Sequence, residues 1–97
     1  MYTESGRMNR PTAPDDFVTG REAVLAAFEA RPARVSRHVV VNIRVDVSGE
    51  RATATSQILL FTAAGQPPLV GSYQDRLVRT PEGWRFVERR GSLDFAQ

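Results

Sequence analysis

The sequence predicts an α+β domain: a long antiparallel four-stranded sheet, run as a meander, with one main helix ahead of it. Three observations carry that prediction. A helix-start signature stands at Thr19 to Glu22 and apolar residues follow it at helical spacing. From His38 onward the apolar period changes to two, which is the period of a strand. Turn-forming residues at Ser48-Gly49, Ala64 to Pro68 and Thr80 to Gly83 then divide the rest of the chain into four runs.

Residues 1–18 read as an irregular lead-in, because Pro11, Pro14 and the pair Asp15-Asp16 interrupt any regular element. Met1 to Asn9 has the alternative of a short edge strand. In Thr19-Gly20-Arg21-Glu22, the Thr19 hydroxyl can accept a backbone N–H and Glu22 can reach back, forming a capping box. Val24, Leu25 and Phe28 form one apolar stripe, and Pro32 stops the helix, which is expected over 19–31.

The sheet is expected over 36–95. Val39, Val41, Ile43, Val45 and Val47 alternate with His38, Val40, Asn42, Arg44 and Asp46, which predicts a strand with one wholly apolar face. A two-residue hairpin at Ser48-Gly49 pairs Val45 with Ala52, Ile43 with Ala54, Val41 with Ser56 and Val39 with Ile58. Strands of this length run about 35–40 Å in a sheet about 14 Å wide, and one helix of about 15 Å cannot cover it. With large apolar residues on both faces, the pattern predicts a partner, most simply a second copy docked through a sheet face.

Ninety-seven residues form a single domain, residues 1–97, too apolar at 41% hydrophobic for disorder. There is no cysteine, which removes disulfides, thiol nucleophiles and thiolate metal sites. With one histidine as well, no transition-metal cluster is expected, and the sequence implies no cofactor. No apolar run approaches the ~20 residues of a membrane helix, so the expectation is a cytoplasmic protein. All thirteen basic residues are arginine, and eleven acids are spread among them for a net charge of +2. No basic stripe forms, which argues against nucleic acid. No phosphate-cradling glycine loop and no Gly-x-Ser-x-Gly elbow occurs.

The order of short motifs resembles a family. The capped helix, Arg37-His38-Val39-Val40-Val41-Asn42, Gly71-Ser72-Tyr73-Gln74-Asp75, Gly83-Trp84-Arg85 and the closing Arg89-Arg90 strand are similar to SnoaL-like proteins of the nuclear-transport-factor-2-like superfamily. The resemblance covers residues 17–95. It implies a curved sheet wrapped into a cone, with a pocket for a hydrophobic, ring-bearing metabolite. It also implies, for catalytic relatives, cofactor-free dehydratase or isomerase chemistry. A pocket histidine of dehydratase relatives falls at His38, and Arg89 or Arg90 lies near a polar late-strand position. The usual first helices, which carry a catalytic Tyr and Asp, find no counterpart here. The alternative is a non-catalytic module for dimerisation or subunit association.

Candidate side chains follow. His38 is the candidate acid or base, with an ordinary pKa near 6.5. It faces a pocket if the valine row is the dimer face, and solvent if the helix covers that row. Asp75 is either a pocket carboxylate beside His38 or the partner of an arginine such as Arg90 across the sheet. Tyr73 and Asn42 are candidate ligand donors, as is Arg90. Trp84 reads as a packing anchor, and Arg31, Arg34 and Arg37 as a solvated loop.

Overall fold

The computed structural model describes residues 1–31 and 36–95. The chain forms β1 (Tyr2–Arg10), β2 (Ala13–Thr19), α1 (Arg21–Glu29), β3 (Arg37–Ser48), β4 (Arg51–Phe61), β5 (Leu69–Thr80) and β6 (Gly83–Leu93). All six strands lie in one sheet, in the order β2-β1-β6-β5-β4-β3. The β1–β6 pair is parallel and the others are antiparallel.

The expected four-stranded curved cone is therefore corrected to an open, mixed six-stranded sheet that is not strongly curved. The residues read as an irregular lead-in are two strands, and Met1 to Asn9, given the alternative of a short edge strand, supplies β1, which is an interior strand between β2 and β6. Pro14 and the acidic pair are tolerated because β2 is an edge strand, where a missing N–H and outward charges cost little. The ladder is irregular between Met8 and Arg10, and Asn9 bridges it. Its amide donates to the Pro14 carbonyl at 2.7 Å, and its oxygen accepts the Gly91 N–H. Asn9 is 3% exposed, so these bonds satisfy a buried amide.

The helix start also differs from expectation. Thr19 stays in the sheet, paired with Arg7, and the Gly20 N–H donates to the Gly6 carbonyl at 2.8 Å. Gly20 is the N-cap at φ 96°, a conformation open to glycine, and no side-chain capping bond forms. α1 buries Val24, with Ala27 beside it, against Tyr2, Met8, Val18 and Phe86. Full burial of a valine is worth roughly 1.5–3 kcal/mol. Leu25 and Phe28 face outward, so the apolar stripe is narrower than expected. The helix packs on β1 and β2. Pro32 and Arg34 lie outside the described residues.

A bulge sets the register of β3. The β3–β4 hairpin turns on Gly49-Glu50, with Ser48 paired to Arg51, so Val45 meets Ala54 and Val47 meets Ala52. The ladder then slips between Val41 and Arg44, where Asn42 takes φ 53°. Beyond it Val41 pairs with Gln57, Val40 with Ile58 and Val39 with Leu59. The valine row is thus cut in two. Val45 and Val47 share a face with Ala52, Ala54, Val40 and His38, while Val39 and Val41 lie on the other face. Every residue of β3 is exposed. The molecule's surface, 6950 Å², exceeds the roughly 5500 Å² usual for a monomer of its mass.

Candidate functional site

A bulge in β6 assembles the helix-side site. From the turn at Pro81-Glu82, the ladder runs regularly from Thr80–Gly83 to Leu77–Phe86. Continued without a break it would set Asp75 against Glu88, two like charges face to face. The extra residue, Val87, shifts the ladder, so that Asp75 meets Arg89 and Arg76 meets Glu88. Two opposite-sign pairs replace one repulsive one, and they point to opposite faces of the sheet.

On the helix side, Arg89 grips Asp75 with two parallel bonds, Nε to Oδ1 at 3.0 Å and Nη2 to Oδ2 at 3.1 Å. The Asp75 side chain is 4% exposed and that of Arg89 29%. The guanidinium lies over the Tyr73 ring at 4.1 Å and near the Phe86 ring at 5.0 Å. Tyr2 packs on Phe86 with ring centroids 5.4 Å apart. Burial by itself would lower the Arg89 pKa, but its hydrogen bonds to Asp75 and that carboxylate's charge outweigh it, and the pKa is raised. Burial raises the Tyr2 and Tyr73 phenols above 10.0, against the opposing charge of Arg89. Both phenols are therefore protonated donors at neutral pH. Across the ladder from Tyr73 stands Ser56, whose buried Oγ has no hydrogen-bond partner among the described residues. The surface offers aromatic faces, a fixed cation and neutral hydroxyl donors.

The sequence candidates divide between locations. Asp75 and Tyr73 stand together here, with Arg89 rather than Arg90 as the carboxylate's partner. Arg90 is on the opposite face, 3.4 Å from Glu88. His38 shares the helix-side face but pairs with Leu60, six residues along β4 from Ala54, the residue opposite Asp75. That offset is about 20 Å at strand rise, so His38 and Asp75 do not meet. Asn42 donates to the Gln57 side chain at the bulge. Tyr2 was not singled out by the sequence, since nothing there tied β1 to β6. Among the described residues no group of acids and histidine could hold a metal, and no helix is long and apolar enough to cross a membrane.

Solved structures share this fold. An NTF2-like protein with a cystatin-like fold from Novosphingobium aromaticivorans superposes with a TM-score of 0.83 at 24% identity, over 99% of this chain and 66% of that one. A Mycobacterium tuberculosis protein of unknown function gives 0.76 at 28% identity, over 98% and 60%. A candidate scytalone dehydratase from Novosphingobium aromaticivorans gives 0.77 at 26% identity, over 97% and 66%. The chain thus spans about two thirds or less of the length of these structures. No curated protein sequence matches it. The model of the SnoaL-like domain matches residues 1–90, and the chain belongs to the SnoaL-like domain family.

Proposed function

We propose that this domain binds a small, ring-bearing organic ligand on its helix-side face, over Tyr73, Phe86 and Arg89. The observation that carries the reading is the Arg89 guanidinium, fixed by buried Asp75 against aromatic rings. A clamped cation loses little freedom when a ligand arrives, and the rings supply stacking area. The protonated phenols can donate to a ligand carbonyl.

The likeness to a candidate dehydratase supports a further step, cofactor-free dehydration or isomerisation beside that carbonyl. In that chemistry Tyr73 stabilises a developing oxyanion, while His38, paired with Leu60 four residues along β4 from the Ser56 that faces Tyr73, stands at least about 13 Å away and is too far to act as base on the same small ligand. Asp75, committed to Arg89, serves as a positioning residue. The test is a titration with 1-tetralone, a bicyclic ketone, followed by NMR of the aromatic and arginine side chains. Shifts centred on Tyr2, Tyr73, Phe86 and Arg89, weakened in Tyr73→Phe, are expected. Absence of shifts at those residues sinks the binding reading. Turnover is expected to be unchanged in His38→Ala, and its loss there would move the reacting ligand away from Tyr73 and toward His38.

A second reading, self-association through a sheet surface, rests on the complete exposure of β3. Because the bulge puts its valines on both faces, a copy docked on one face covers one of the two sets. Val45→Arg is expected to turn a dimer into a monomer by light scattering. A monomeric wild type at micromolar concentration refutes this reading.

A further inference from the structure

The face opposite the helix carries a second organised group of charges that the proposed ligand site does not use. The registers place Arg7, Glu88, Arg76 and Thr53 side by side on one rung across four strands. One rung along stand Arg90, Gln74 and Thr55. Together they line an open cleft of about 440 Å³.

Glu88 is the centre of the group. Its side chain is 7% exposed, and it receives Arg7 Nε at 2.5 Å, Arg76 Nη2 at 3.3 Å and Arg90 Nη2 at 3.4 Å. Three cations therefore surround one anion. The next acid along the rung is Asp46, across the ladder from Thr53, and it is paired with Arg44 at 3.6 Å. Asp75 points to the other face, into Arg89. Three arginines against Glu88 leave an excess of two positive charges in the cleft's contacts; Asp15, exposed on β2 two residues from Phe17, makes no ion pair with them among the described residues.

Arginines in such a group repel one another and ordinarily spread into water. Here two of them converge. Arg7 lies over the Phe17 ring at 4.2 Å and Arg90 at 5.6 Å, so one ring holds both beside Glu88. Each guanidinium has five N–H donors in a planar fork, and one nitrogen of each contacts Glu88. Arg76 and Arg90 remain 59% and 51% exposed, within reach of a solute. Thr53, Thr55 and Gln74 supply neutral donors on the same floor.

We propose that this cleft binds a doubly charged oxyanion, a phosphate group or a pair of carboxylates on a small molecule. Two negative charges balance the local excess, and planar forks match the geometry of such oxygens. Glu88 then acts as the organiser: it gathers the guanidiniums while competing with the guest for their donors.

That competition supplies the test. Inorganic phosphate, phenyl phosphate and succinate are titrated calorimetrically into the wild-type protein at matched ionic strength. Saturable binding in the sub-millimolar range is expected for at least one, and the preferred arm tells phosphate from dicarboxylate. Arg76→Ala and Arg90→Ala should each weaken it by about tenfold or more, the loss of one charge-assisted contact. Glu88→Gln should tighten it, an effect that mere loss of structure does not produce. Glu29→Gln, exposed on the helix of the other face, should leave it unchanged. No saturable binding of any of the three, or binding indifferent to both arginine variants, overturns the proposal.

Discussion

Replacing Asp75 by asparagine tests the helix-side site and the fold together. The substitution keeps the side chain's shape and removes its charge. Breaking one partner of a buried ion pair costs about 3–5 kcal/mol when the other charge is stranded. Arg89 keeps 29% of its side chain in contact with solvent, so part of its charge is rehydrated and the cost moves to the low end. Loss of the two-pronged clamp also loosens the guanidinium from Tyr73 and Phe86, worth about 0.5–1 kcal/mol for each ring contact. The expected sum is about 4 kcal/mol. For a chain of this length that lowers Tm by about 20 °C. Urea denaturation followed by the single Trp84 gives the free energy directly. The exposed pair Arg44–Asp46, with side chains 79% and 70% accessible, is the control, and Asp46→Asn should change little. The double variant Asp75→Asn with Arg89→Met should recover much of the loss, because no stranded charge remains. If Asp75→Asn costs no more than Asp46→Asn, the reasoning about the buried pair is refuted.

Other outcomes follow from the same geometry. Burial by itself would raise the Glu88 pKa, but its bonds to Arg7 and Arg76 hold it below the ordinary value of 4.5. Its contribution is therefore complete above that value and is lost as pH falls through the lower folded pKa. Acid denaturation of Glu88→Gln, compared with wild type between about pH 5 and 2, should lack that component; parallel curves contradict it. The Tyr2 and Tyr73 phenols titrate above 10.0, so stability linked to them is present below that pH and lost above it. Ultraviolet difference titration should place both beyond a free tyrosine, and a midpoint at or below the free value excludes the burial. Gly71→Ala should destabilise by about 1–3 kcal/mol, because its Cβ would stand 2.5 Å from the Ser92 carbonyl oxygen. Thermal melts check it against Gly65→Ala, where nothing lies within 4 Å but a φ of 77° adds a smaller strain.

Much of the sheet was legible because period-two runs and turn residues are local signals. The β4–β5 and β5–β6 pairs and the Pro81-Glu82 turn stand where those signals put them, while the β3–β4 hairpin forms but turns on Gly49-Glu50 rather than Ser48-Gly49, so Val45 meets Ala54 and not Ala52. What could not be read was non-local or depended on one residue. β1 has no alternating apolar pattern, since it lies between two strands and owes its place to pairing with β6, some eighty residues away. The capping residues at Thr19 gave a false start because the β1–β2 ladder claims Thr19 first. The bulge at Asn42 was invisible to strict alternation, and a slip of one residue moves every later side chain to the other face. For the site, Tyr73 and Asp75 were readable, but their arginine was not fixed until Val87 set the register. The charges held a clue there: only the bulged ladder avoids placing Asp75 against Glu88.

The parallel pairing of β1 with β6 has a consequence for how the chain is made. Tyr2 and Met8 find their apolar neighbours, Phe86 among them, only when the last strand is in place. On a ribosome the first strand and the helix emerge many residues before β6, and their core cannot close until that strand has left the exit tunnel. Such long-range closure belongs to the slower folding regime, since loop entropy must be overcome before any contact rewards it. In the interval Val24 and Met8 are sticky surface rather than core, a natural target for a nascent-chain chaperone.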